Sequence, residues 1–290
     1  MLGTRISPYL QELLALAGAT DVYAAAPALL ERLLRIDVSP SAVYRVSRAV
    51  GEALPEAALL EPVADEPLYL QVDGSLILTD LGWQEVKVGR VFTRDGATGE
   101  GHLHTSQYCA VLGGHTAFEQ QIEQLVPAAR DVVFLSDGAR WIEAWAERTY
   151  PQAVKILDFY HAFEHLAAAV KGLELPTGWL ECQRALLLES QSALVLNQVG
   201  QLPGIDTTRL AELQGYYGHN QRRMDYAAFR AAGYAIGSGA IEAAHKTLIQ
   251  VRMKRSGQRW NPQHVPAMLK LRVAVKSNKA HLIMAAIANA

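Results

Sequence analysis

Apolar residues return every three or four positions over the first fifty residues and then every second position, and this change of period divides the chain. In the stretch from Pro8 to Ala17, Leu10, Leu13, Leu14 and Ala17 fall on one side at helical spacing. A second helix is predicted over residues 24–34. A third starts at Ser39, an N-cap residue, with Pro40 at the first helical position. Val43, Val46 and Val50 form its apolar stripe, with Ser41, Tyr44, Arg45, Ser47 and Arg48 outward. Two helices joined by a short Ile36-Asp37-Val38 turn, the second polar and basic outside, fit a helix-turn-helix. A plain packing unit fits the same pattern.

Residues 51–67 hold three prolines and five acidic residues and read as a linker. From Leu68 the pattern is that of strands. Leu68 to Val72 is predicted as a strand closed by Asp73-Gly74, followed by strands over 83–92 and 105–112 and a helix over 116–126. Val132 to Leu135 is wholly apolar and ends in Ser136-Asp137-Gly138. A helix over 139–149 and a strand over 153–157, ending in Asp158, complete the series. The expected fold is α/β: a ribonuclease H-like mixed sheet in which a meander of three strands is followed by two strands alternating with helices. In that layout the first and fourth strands are neighbours, each with a carboxylate at its end. Residues 159–236 read as a helical insertion, with 161–171 and 179–199 its firmest helices, and a last long helix begins near Gly237-Ser238-Gly239 and carries Glu242. The expected division is a helical DNA-binding segment (1–51), a linker (52–67), the first part of a catalytic domain (68–158), the helical insertion (159–236), and the last part of the catalytic domain with a basic tail (237–290).

Composition narrows the class. No apolar run approaches the roughly 18–20 residues of a membrane-spanning helix. The N-terminal residues lack the basic and apolar succession of a secretory signal. Cys109 and Cys182 offer neither a disulfide framework nor a CxxC pair. A cytoplasmic protein without membrane association is the expectation. The net charge of −2 hides an asymmetry: no Asp or Glu follows Glu242, whereas nine Lys and Arg do. Residues 1–242 hold the other 18 basic and all 29 acidic residues, a balance of −11. A basic tail on an acidic body suggests a polyanionic partner, most simply nucleic acid; a solvated helix face is the alternative.

Three carboxylates carry the candidate chemistry. Asp73 and Asp137 close the first and fourth strands, and Glu242 lies in the first turn of a later helix. Hard divalent cations take oxygen ligands, and Mg²⁺ keeps waters beside one or two carboxylates. Two ions roughly 4 Å apart can clamp a phosphodiester between the attacking and leaving oxygens. Singly, each residue has an ordinary explanation: Asp-Gly after a strand is a common turn, and a Glu in a first helical turn complements the helix dipole. Asp158 competes with Asp137 for the second position, but on the next strand out. His161, three residues on, is placed to orient substrate or stabilise a phosphate, or else simply to bond Asp158. Among bases, Arg252, Lys254, Arg255 and Arg259 are candidates for phosphate contact, with Trp260 stacking on an unpaired base or filling the core. Arg222 and Arg223, beside Tyr216 and Tyr217, offer a second DNA-facing surface, or a solvated turn.

The segments Gln71-Val72-Asp73-Gly74, Leu135-Ser136-Asp137-Gly138-Ala139-Arg140-Trp141, Ile156 to Ala162 (ILDFYHA) and Ile236 to Glu242 (IGSGAIE) resemble DDE transposases of bacterial insertion sequences, of the ISKra type. Arg252 to Trp260 (RMKRSGQRW) extends the likeness, which covers about residues 65–275. The chain is similar also to the wider Mutator-like group, in which an Asp/Cys-x-x-His follows the second Asp and a helical insert precedes the Glu. Asp158-Phe159-Tyr160-His161 and the 159–236 insertion match both features. The resemblance implies Asp73, Asp137 and Glu242 as a triad binding Mg²⁺ or Mn²⁺, two ions in all. It implies nicking and strand transfer of double-stranded DNA with terminal inverted repeats, and a homodimer on DNA. The pattern departs only at the front, where 72 residues precede Asp73, fewer than such transposases carry. A DNA-binding protein without catalysis and a structure-selective nuclease remain alternatives.

Overall fold

The computed structural model describes residues 6–55, 67–94, 103–126 and 131–289. Most of the expected linker therefore lies outside the described residues. Three helices come first: α1 (Pro8–Thr20), α2 (Ala26–Leu34) and α3 (Pro40–Ala53). Ser39 caps α3 as expected, its side chain accepting from the Ala42 N–H. Val43, Val46 and Val50 are buried, but so is Ser47, whose hydroxyl donates to the Leu14 carbonyl. Ser47 thus faces α1, not solvent. Arg45 and Arg48 remain exposed, the latter paired with Glu52 at 2.8 Å.

Five strands form one mixed sheet in the order β3-β2-β1-β4-β5. They are β1 (Leu68–Thr79), β2 (Gly82–Arg94), β3 (Leu103–Leu112), β4 (Val132–Ser136) and β5 (Val154–Leu157). The first three pair antiparallel as a meander, and β1–β4 and β4–β5 pair parallel. One expectation is corrected here. β1 does not close at Asp73-Gly74; it runs on through Ser75-Leu76-Ile77-Leu78 to a hairpin at Asp80-Leu81, where Gly82 adopts φ +94°. What ends near Asp73 is the pairing with β4, whose last paired residue on β1 is Gln71.

Alternation then sorts the side chains. Leu68, Leu70 and Val72 pack beneath α4 (His115–Glu123) and α5 (Arg140–Thr149), around Phe118, Ile122 and Trp145. Tyr69, Leu135 and Ile156 face the opposite layer, made by α6 (Phe159–Ala169), α7 (Trp179–Leu188), α8 (Ser192–Gly200), α9 (Thr207–Asn220) and α10 (Tyr226–Ala231). The helix expected over 179–199 is two helices, broken at Ser190, which sits at φ +60°. A continuous helical run follows: α11 (Gly239–Ala244), a π-helical stretch (His245–Gln250) and α12 (Val251–Met253). It packs with Ile77, Val86 and Val88 on the far end of the sheet.

α13 (Val265–Lys276) and α14 (His281–Asn289) share one apolar cluster with α1–α3. The first and last segments of the chain thus form a common helical core. α3 and α13 approach closely enough at Gly51 that a Cβ there would overlap the Ala267 carbonyl.

Candidate active site

The parallel ladder sets the level of the acids. Gln71 pairs with Leu135 across β1–β4, so Asp73 and Asp137, each two residues on, fall at the same height. Leu135 pairs with Ile156 across β4–β5, and Asp158 comes level in turn. Three carboxylates therefore stand in a row, Asp73 within β1 where its pairing with β4 stops, and Asp137 and Asp158 just past the ends of β4 and β5. Glu242 approaches from α11, and Asp73, Asp137, Asp158, His161 and Glu242 all line one cavity of about 250 Å³.

Two buried side chains fix α11 against the sheet, and sequence reasoning missed both. Gln71, fully buried, accepts the Ile241 N–H on its Oε1 at 2.9 Å. Arg90, its partner across β1–β2, donates from Nη1 to the Ala240 carbonyl at 2.7 Å and to Ser106 Oγ through its other nitrogens. The single peptide group joining Ala240 to Ile241, just before Glu242, is thus bonded at its carbonyl to β2 and at its N–H to β1, the strand carrying Asp73. The available signal was a polar residue at position 71, on the same strand face as Asp73 and amid Leu70 and Val72. Ser238 is the N-cap of α11, and its hydroxyl donates to Glu242 Oε1 at 3.0 Å.

The acids differ in how their oxygens are occupied. Asp158 is 2% exposed and caps α6. Its Oδ1 accepts from the N–H groups of Tyr160 (2.6 Å) and His161 (3.2 Å), and its Oδ2 from that of Ser238 (2.8 Å). It joins α6 to the start of α11. Asp137 accepts one such bond, from the Ala139 N–H at 2.9 Å. Asp73 accepts the Gly74 N–H on Oδ1, and its Oδ2 lies 3.1 Å from Nε2 of the buried His245. Burial pushes the Asp73 carboxyl upward. His245, the Gly74 N–H and the charge of His161 together outweigh it and hold the group below the usual carboxylate range.

His161 borders the cavity, half-buried, with its Nδ1 3.6 Å from Glu164. Its backbone N–H, not its ring, bonds Asp158. Its ring packs edge-on against His165, which stacks on Tyr216 at 3.9 Å, and the Tyr216 hydroxyl donates to the Asp137 carbonyl at 2.8 Å. Burial, then the neighbouring His161, lower the His165 pKa, although Glu164 and Asp137 oppose them.

The basic candidates separate into two groups. Arg252 is fully buried between the rings of Tyr23 and Trp260, and its Nε donates to the Gly18 carbonyl at 2.8 Å. Arg272 reaches the Ala19, Leu248 and Thr247 carbonyls. Both cations thus serve carbonyls at the C-terminal end of α1, where the helix dipole favours positive charge. Trp260 is 5% exposed; its Nε1 donates to the Met253 carbonyl, and its backbone bridges the base of the β1–β2 hairpin. Arg223 is buried against Glu143 and Asn220. As folded, Arg252, Trp260 and Arg223 are out of reach of DNA, because each side chain is buried. Arg45, Arg48, Arg222, Lys254, Arg255 and Arg259 are exposed. Lys254 and Lys246 line an open groove that starts at Asp73 and Glu242, while Arg255 and Arg259 border a recess with Tyr23 and Tyr44.

Among the described residues, no three His, Cys, Asp or Glu side chains converge closely enough to hold a metal as they stand. The donor set nonetheless suits a hard cation. Asp73, Asp137 and Glu242 offer only oxygens around one polar cavity, and Mg²⁺ is commonly held by one or two carboxylates with water and phosphate completing its shell. No helix among the described residues is long and apolar enough to cross a membrane. Compared with known proteins, the chain matches no family model and no curated sequence.

Proposed function

We propose that the chain is a DDE transposase of the ISKra type, within the wider Mutator-like group. On this reading its sheet is ribonuclease H-like, and its substrate is double-stranded DNA bearing terminal inverted repeats. The observation that carries the reading is the β1–β4 register, which levels Asp73 with Asp137 on a cavity also lined by Glu242. The strand order and the helical layer between β5 and α11 support it, together with the four sequence motifs.

Asp73, Asp137 and Glu242 would hold Mg²⁺ or Mn²⁺. When bound, such ions activate an attacking oxygen and neutralise the one that leaves. The residues around them prepare the rest. Gln71 and Arg90 fix the approach of α11 and so the position of Glu242. Asp158 ties the first turn of α6 to the start of α11, a supporting role and not that of a ligand. His161 stands on the wall where a ring N–H would meet a phosphate oxygen. Lys246 and Lys254 extend positive charge along the groove from the acids, which attracts the backbone of a bound strand. A homodimer would bring two DNA ends together.

The test is a nicking and strand-transfer assay on DNA carrying the repeats that flank the gene, run beside a mobility-shift assay. Asp73→Asn, Asp137→Asn and Glu242→Gln should each abolish Mg²⁺-dependent cleavage and leave DNA retention intact. DNA retention without cleavage at any Mg²⁺ or Mn²⁺ concentration would overturn the reading in favour of a DNA-binding regulator. Cleavage without strand transfer would favour a structure-selective nuclease.

A further inference from the structure

We infer that His245 is the positioning residue of Asp73: its imidazole fixes the rotation of the carboxylate from one side while the Gly74 N–H fixes it from the other, so that the remaining lone pairs face the cavity. The inference rests on the reading of Asp73 as a cation ligand given above.

Three observations carry it. First, the His245 side chain is only 6% exposed, and Nε2 lies 3.1 Å from Asp73 Oδ2 without the alignment of a hydrogen bond. A buried polar nitrogen left without a bonded partner costs about 1–3 kcal/mol. Its helical neighbours Ile241, Leu248 and Ile249 belong to an apolar cluster, so an aliphatic residue would suit the position better on packing grounds. Packing therefore does not explain an imidazole there, and a modest turn of the carboxylate would give it a partner. Second, His245 follows Glu242 by three residues, a spacing that puts both on neighbouring parts of one helical surface. A single helical run thus carries the third acid and the group that addresses the first. Third, the backbone changes to π-helical bonding at His245 itself. Such widened turns are uncommon and are found often at functional sites.

Carboxylates that bind metals are themselves held by hydrogen bonds, and loss of such a partner typically weakens metal affinity about 10- to 100-fold. The experiment is calorimetric titration of the full chain with Mn²⁺ alone, together with thermal unfolding in a chelator. Wild type, His245→Leu, His245→Gln and Asp73→Asn are compared. His245→Leu should bind Mn²⁺ about 10- to 100-fold more weakly, with a metal-free melting temperature equal to or above wild type. His245→Gln, which keeps an N–H donor of similar reach, should stay within about threefold of wild-type affinity, well inside that range. If Asp73→Asn abolishes Mn²⁺ uptake and His245→Leu leaves affinity unchanged, the inference fails and the site stands. If both His245 variants lose affinity equally and both melt lower without metal, His245 is a structural residue and the inference fails. If wild type shows no Mn²⁺ uptake that Asp73→Asn removes, the reading of the site itself fails.

Discussion

Asp158 and Asp137 are level on adjacent strands and both border the cavity, yet removing them should have opposite consequences. The Asp158 carboxylate accepts three backbone N–H bonds, two in the first turn of α6 and one from Ser238 at the start of α11. Replacing an N-cap Asp by Ala costs about 1 kcal/mol, and orphaning a further buried N–H costs about 1–3 kcal/mol. Asp158→Ala should therefore destabilise the fold by about 2–4 kcal/mol. At about 2–4 °C per kcal/mol for a large domain, the melting point falls by roughly 4–16 °C. Asp137 accepts one N–H bond, from Ala139, and is partly exposed, so Asp137→Ala should cost about 1 kcal/mol or less. Urea unfolding followed by circular dichroism reads the difference directly. Mn²⁺ titration supplies the complementary readout: Asp137→Ala loses binding, whereas Asp158→Asn, which keeps an acceptor oxygen, retains it. Wild-type stability in Asp158→Ala, with metal binding lost, would show that Asp158 is the second ligand and Asp137 the turn.

Three further outcomes follow from packing and charge. Gly51→Ala places a methyl group on the Ala267 carbonyl, and since backbone must move, a loss of about 1–3 kcal/mol is expected in urea unfolding. Arg252→Met keeps the packing between Tyr23 and Trp260 but removes a buried cation that has two unpartnered nitrogens and no carboxylate bonded to it, so stability should change by less than about 1 kcal/mol. DNA retention in a mobility-shift assay should be unchanged; a selective loss would mean that Arg252 reaches phosphate. His165 should titrate below the ordinary histidine range in NMR, because burial and His161 disfavour its charged form. A depressed folded-state pKa means that unfolding takes up a proton, so this contribution to stability is present above the unfolded value, about 6.5, and is lost as pH falls through the folded one. His165→Gln should flatten the dependence.

How far the sequence alone could be read depends on whether a feature is set by neighbours along the chain or across it. The period of apolar residues depends only on local geometry, and it located all five strands and the helices as far as α8, with α7 and α8 merged, but it did not resolve α9, α10, α13 and α14. Order along the chain also sufficed to put β1 beside β4, and with them Asp73 beside Asp137. The misjudged strand end shows the limit. Asp-Gly is a turn when the chain is free to turn, but twelve residues of β2 pair with β1 across and beyond that dipeptide, and the ladder outweighs the local preference. The basic tail shows it more sharply. Arg252 and Arg272 count as surface charge in any composition, yet each is buried because carbonyls at the end of α1, over 230 residues away, lie within reach. Gln71, Arg90 and His245 were silent for the same reason: each acts on a partner brought near only by the folded sheet. What positions Asp73, Asp137 and Glu242 is therefore less legible than the acids themselves. A carboxylate beside an apolar strand segment or in a first helical turn stands out by type, whereas the groups that orient it are recognisable only by what they touch.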